Sequence, residues 1–95
     1  MKQPLRRVHL LIEGRVQGVG FRWWFESRAR DLGLAGWVRN RPDGNVEAVF
    51  SGPPDTIETM LTDCRDGPPL ARVTGLQVTD CDPPGTKGFQ IRPDG

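Results

Sequence analysis

Between Val8 and Leu32 the spacing of apolar residues changes once, and that change constrains the fold more than any other feature of the chain. Val8, Leu10 and Ile12 recur at period two, which places them on one face of a strand. Phe21, Phe25, Ala29 and Leu32 then recur at i, i+4, i+8 and i+11, one face of a helix that Trp24 broadens. Only Gly14–Gly20, with three glycines in seven residues, joins the two periods. A strand passing through so short a turn into an amphipathic helix needs its own sheet as the surface the helix covers. Gly33 stands where a helix end takes up a left-handed residue.

The two periods then recur. "GWVRN" reads as a short strand, and "RPDGN" supplies the Pro, Asp and Gly of a tight hairpin loop. Val46, Ala48 and Phe50 alternate in the strand that follows. "GPP" punctuates the chain. Ile57, Met60, Leu61 and Cys64 fall at i, i+3, i+4 and i+7, a second helix with proline at its start and Gly67-Pro68 at its end. "ARVTGLQVT" is a fourth strand, "DPPGTKG" a loop, and "FQIR" a short last strand with Phe89 and Ile91 facing one way.

The order is strand, helix, strand, strand, helix, strand, with a short extra strand: the split βαβ arrangement. It predicts an α+β domain with one antiparallel sheet, both helices on one face and right-handed crossovers. The opposite face carries His9, Glu13, Arg39, Glu47 and Gln77 and is expected to be wet. No repeat or linker interrupts residues 1–95, so a single domain with its core at about 6–92 is expected.

The totals exclude several classes. A chain of 95 residues buries roughly 60–65% of its unfolded surface, enough to fold alone with little margin. No fully apolar run is longer than the three residues of Leu10-Leu11-Ile12, too short to span a membrane. "MKQPLRRVHLLIEG" lacks the apolar core of a secretory signal, so a cytoplasmic location is expected. Cys64 and Cys81 form no CxxC pair and the chain has one histidine, which argues against a four-ligand zinc site. The two cysteines read as small apolar fillers, because nothing else points to the oxidising compartment a disulfide requires.

Net charge is only +1, but it is unevenly spread. Residues 1–45 hold nine basic and four acidic residues; residues 46–95 hold four basic and eight acidic. Positive potential therefore gathers near the glycine stretch. That suits a small anionic partner better than a nucleic acid, for which a clearly basic domain is expected.

The glycine loop runs straight into the first helix, where unpaired N–H groups meet the positive end of the helix dipole. Such a turn is an anion cradle, and phosphate is its usual guest. Gly18 and Gly20 would let phosphate touch the main chain, and Arg22 could close on it as a two-pronged fork. The plainer reading, that the glycines only turn a corner, stands beside it, since the stretch is neither GxGxxG nor GxxxxGKS.

"GRVQGVGFR" and "GWVRNRPDGNVEAVFSG" together resemble the acylphosphatase family. The first is similar to its G-x-V-Q-G-V-x-F-R signature and the second to G-W-V-x-N-x-x-x-G-x-V, including the closing Gly52. "GPPLARV" and "FQI" carry the likeness along the chain; the tail "RPDG" is less typical and lies far from the motifs. The resemblance implies a ferredoxin-like α/β sandwich. It also implies hydrolysis of the carboxyl-phosphate bond of small acyl phosphates to a carboxylate and inorganic phosphate. Arg22 matches the family's phosphate-binding arginine and Asn40 the asparagine that positions the attacking water. The amides of Arg15, Val16, Gln17, Gly18, Val19 and Gly20 match its phosphate cradle. No general base stands in either motif, and the resemblance implies that a substrate phosphate oxygen takes the proton. Neither a cofactor nor a metal is called for, and a monomer without membrane or nucleic-acid partners is expected.

Other residues read more plainly. His9 reads as a structural strand histidine, and Asp43 as a turn residue rather than a carboxylate partner of Glu47. Trp23, Trp24 and Trp37 suggest a base-stacking platform only if they share the sheet, yet two fall on a helix; packing is the stronger reading. Gly33 and Gly36 read as boundary glycines around "LA". Two further functions stay open on the residues alone: a noncatalytic phosphate- or acyl-phosphate-binding module, and an RNA-binding sheet.

Overall fold

The period-two run Val8, Leu10, Ile12 becomes the fully buried face of β1 (Arg6–Arg15) in the computed structural model, which describes residues 5–94. After the glycine turn, α1 (Phe21–Asp31) buries Phe21, Phe25 and Ala29. Leu32 lies just past the helix as its cap and is only partly buried. The helix stops because Gly33 sits at φ +70°. Its N–H bonds the Arg30 carbonyl at 3.0 Å and the Leu34 N–H bonds that of Ala29 at 2.9 Å, the paired bonds of a Schellman end.

β2 (Ala35–Asn40) and β3 (Val46–Gly52) form the expected hairpin. Asp43 builds its turn: one carboxylate oxygen accepts the Asn45 N–H at 3.0 Å and the other accepts Arg41 Nε at 3.0 Å. The backbone bond first, and Arg41 second, hold this carboxyl below the usual range. α2 (Pro54–Asp66) opens on Pro54, where a missing N–H costs nothing, and buries Ile57, Met60, Leu61 and Cys64. β4 (Arg72–Asp80) and the short β5 (Phe89–Ile91) complete the chain.

The strands order as β4-β1-β3-β2-β5. Leu10 of β1, Ala48 of β3 and Val38 of β2 share one row, and Ile12, Val46 and Asn40 share the next. Alternation along each strand therefore points Asn40 to the same side as the buried Val38, at the end of the sheet where β1 exits. Phe25 of α1 packs on Phe50 and Phe89, with ring centroids 5.5 and 5.4 Å apart. Arg28 Nε donates to Asp63 Oδ2 at 3.1 Å and ties the two helices together.

Three expectations are corrected. The sheet is mixed rather than wholly antiparallel, because β5 runs parallel to β2. β4 runs opposite to β1 and β2, so it ends at the edge of the sheet where β2 begins. The 81–88 loop crosses that end, and β5 starts beside the start of β2. Second, the sheet face away from the helices is not uniformly wet. Glu47 is only 7% exposed. Its carboxylate accepts from His9 Nε2 and Arg39 Nε, each at 2.7 Å, and from Arg41 Nη1 at 3.4 Å. Burial alone raises the Glu47 carboxyl, but the bonds from His9 and Arg39 outweigh it and hold the group below its ordinary range. On the same face Arg39 and Arg92 cover Trp37, their guanidinium carbons 5.1 and 4.8 Å from its ring centroid. Trp37 thus packs rather than offering a bare stacking surface. Third, Gly36 lies inside β2, not at a boundary. At φ +151° it presses on β3, and a Cβ there would meet the Val49 carbonyl oxygen and the Phe50 Cα.

Cys64 is buried, which pushes its thiol well up from the ordinary value; Cys81 is partly buried, and both are unpaired. No helix among the described residues is long and apolar enough to cross a membrane.

Candidate active site

The register of β1 against β4 shifts between Glu13 and Gly14, a bulge that precedes the strand's exit at Arg15. Val16–Gly20 then cross to the start of α1. Val16 is 1% exposed and anchors the turn in the core, with Val19 packed against the same core. Gly18 and Gly20 adopt φ +72° and +78°, where side chains are strained. A Cβ on either would meet no atom within 4 Å. Backbone conformation, not crowding by the protein, demands these glycines, and the space beside them is open.

Gly20 precedes α1 with no side-chain cap, and the first turn holds no acidic residue. The first helical bond runs from the Trp24 N–H to the Gly20 carbonyl at 3.0 Å. The N–H groups of Phe21, Arg22 and Trp23 stand ahead of it with no partner inside the helix. An anion at this point would meet the main-chain donors and the dipole together.

Gln17 ties the turn to the β2–β3 hairpin. Its Nε2 donates to the carbonyls of Arg41 at 2.8 Å and Asn45 at 2.9 Å. That brings the turn beside Asn40, the last residue of β2. Asn40 is 9% exposed, and its Oδ1 is buried without a partner among the described residues. A buried acceptor left open in this way is costly unless something occupies the space before it.

Val16, Gly18, Gly20, Phe21, Arg22, Trp23 and Asn40 line one cavity of about 220 Å³. The structure thus brings Arg22 and Asn40 to one site with part of the glycine turn. Of the other residues expected there, Arg15 pairs with Arg72 in the β1–β4 ladder, Gln17 turns its side chain to the hairpin, and Val19 packs inward. None of these three lines the cavity.

Two residues at the site escape sequence reasoning. Arg22 Nη1 donates to Asp94 Oδ1 at 3.2 Å, so the tail lies against the motif rather than far from it. The two residues are 72 positions apart, and no periodicity links them. Trp23 does not pack: it is 75% exposed, whereas Trp24 meets Phe21 edge-on at 5.3 Å. Neighbours on a helix point about 100° apart, so only one of two consecutive tryptophans can face the sheet.

The acylphosphatase family model matches residues 8–91. An acylphosphatase of Thermococcus kodakarensis is 54% identical over 85 residues, covering 90% of this chain and 93% of its own. One from Acidiphilium cryptum is 54% identical over 87 residues, with 92% and 96% covered. The crystal structure of the Bacillus subtilis acylphosphatase superposes with a TM-score of 0.88 at 37% identity, over 94% of this chain and 99% of that one. The ferredoxin-like α+β fold, both signature motifs and a relationship spanning nearly the whole chain agree: the chain belongs to the acylphosphatase family.

Proposed function

We propose that the cavity at the start of α1 is where the chain hydrolyses small acyl phosphates, and that Arg22 and Asn40 divide the work. The amides of the Val16–Gly20 turn and of the first helical turn hold the phosphoryl oxygens, with Arg22 as a charged fork. Asn40 Oδ1 accepts a hydrogen bond from a water and aims it at phosphorus. The water attacks in line, and the bond from phosphorus to the acyl oxygen breaks. Its electron pair leaves on the carboxylate, and the water's proton passes to a phosphoryl oxygen of the substrate. The leaving group is already a stable anion, so the protein needs to position and neutralise rather than supply a strong acid or base.

The observation that carries this reading is the unpartnered, buried Asn40 Oδ1 in the same cavity as Arg22 and the uncapped helix start. Phosphate charge is met by amides and Arg22, so the reaction is expected to run with a chelator present. The test is phosphate release from acetyl phosphate in excess chelator by the wild type and by Arg22→Lys. The wild type turns over, and the lysine variant, with charge but no planar fork, shows a strongly raised KM and a lower kcat. Near-normal kinetics for Arg22→Lys, or activity that returns only with added metal, overturns the assignment.

A further inference from the structure

The cavity of about 220 Å³ is lined by Trp23 as well as by the Arg22, Asn40 and glycine-turn residues that phosphate chemistry uses. Trp23 is the one aromatic side chain among the described residues that stands largely exposed, at 75%. The other rings are committed elsewhere: Phe21, Phe25, Phe50 and Phe89 to the core, Trp24 to Phe21, and Trp37 to two arginines. Large aromatic surface left in water beside a binding cavity forgoes burial that a ligand can restore.

We propose that the Trp23 indole is the acyl-side subsite, a flat apolar platform beside the phosphate cradle that favours acyl phosphates with aromatic or extended apolar acyl groups. The proposal rests on the acyl-phosphate reading of the site and adds the group that the two motifs leave unread. Trp23 follows Arg22 directly in the first turn of α1, so a phosphoryl held at Arg22 has the indole within reach of its substituent. Asn40 reaches the cavity from the end of β2 and Trp23 from the first turn of α1, so the two side chains enter it from different elements. An indole face offers stacking and apolar contact but no charge, so a small or strongly polar acyl group gains little from it.

The test compares kcat/KM for benzoyl phosphate and acetyl phosphate in the wild type, Trp23→Ala and Trp23→Phe. The ratio of the two substrates within each protein, compared between proteins, cancels their different intrinsic reactivities. Trp23→Ala is expected to lower the benzoyl-to-acetyl ratio about ten-fold, while acetyl phosphate alone changes less than about two-fold. Trp23→Phe keeps most of the ratio, and the inhibition constant of inorganic phosphate is unchanged in both. A ratio unaltered in Trp23→Ala overturns the proposal, as does a phosphate inhibition constant that rises in step with the loss. A wild type that hydrolyses neither compound overturns the acyl-phosphate reading as well, a result distinct from an unaltered ratio.

Discussion

Gln17 spans the gap between the phosphate turn and the hairpin whose first strand ends in Asn40, and it does so with one amide group. Both its bonds, 2.8 Å to the Arg41 carbonyl and 2.9 Å to the Asn45 carbonyl, require a donor. Gln17→Ala removes both. At about 0.5–1.5 kcal/mol net for each, the loss is about 1–3 kcal/mol. For a domain of this size that lowers the thermal midpoint by roughly 5–15 °C. Gln17→Glu keeps the length of the side chain but replaces the donor with an anion facing two carbonyl oxygens. It is therefore expected to be at least as destabilising as alanine at neutral pH, and to weaken phosphate binding several-fold through its charge. The introduced carboxyl is disfavoured as an anion, so its folded-state pKa is raised. The folded state then binds a proton more readily than the unfolded one, and the deficit shrinks as pH falls through that raised value. Thermal unfolding of the wild type and both variants at neutral and mildly acidic pH, with phosphate inhibition measured beside it, reads all of this. A Gln17→Glu protein as stable as the wild type at neutral pH would refute the splint.

Gly36→Ala drives a Cβ into the backbone of β3 at a positive φ, and should cost at least about 2–3 kcal/mol, read as a lower urea midpoint. Glu47→Gln loses the ionic bonds from Arg39 and Arg41 and weakens the hydrogen bond to His9, about 1–3 kcal/mol at neutral pH. Because the native carboxyl is held below its ordinary range, that stability is complete above the range and fades as pH falls through the depressed value. The gap between wild type and Glu47→Gln in denaturant unfolding should therefore narrow by about pH 3, and a constant gap would show that the pairing is not ionic. Asp94→Asn frees Arg22 from an exposed ion pair worth at most about 1 kcal/mol. It should tighten phosphate inhibition by no more than about five-fold at low salt and not at all at high salt; weaker inhibition would instead make Asp94 a support for Arg22.

Local patterns in the sequence predict local structure well here. Val8, Leu10 and Ile12 could only be a buried strand face, and the Ile57–Cys64 spacing could only be a helix face; each forms as expected. Asp43 shows the same, since an Asx turn is made within a few residues. The direction of β5 was not legible, because it depends on which end of the sheet the 81–88 loop crosses. The burial of Glu47 escaped for a related reason. Alternation assigns it to the solvent face, and only the pairing of β1, β2 and β3 brings His9 and Arg39 over it. At the site, the motifs indicated Arg22, Asn40 and the glycine turn. They were silent on Asp94 and on the outward turn of Trp23, which long-range contact and helix phase decide.

The central claim is that Asn40 positions water while Arg22 and the turn hold phosphate. Steady-state hydrolysis by Asn40→Ala tests it most directly. A group needed mainly in the transition state lowers kcat when removed and leaves KM nearly unchanged. The expected loss in kcat is about 10²–10³-fold, the scale of one preorganised polar contact, with inorganic phosphate inhibiting the variant as it inhibits the wild type. An Asn40→Ala enzyme with intact kcat and a raised KM would place Asn40 in substrate binding and contradict the account.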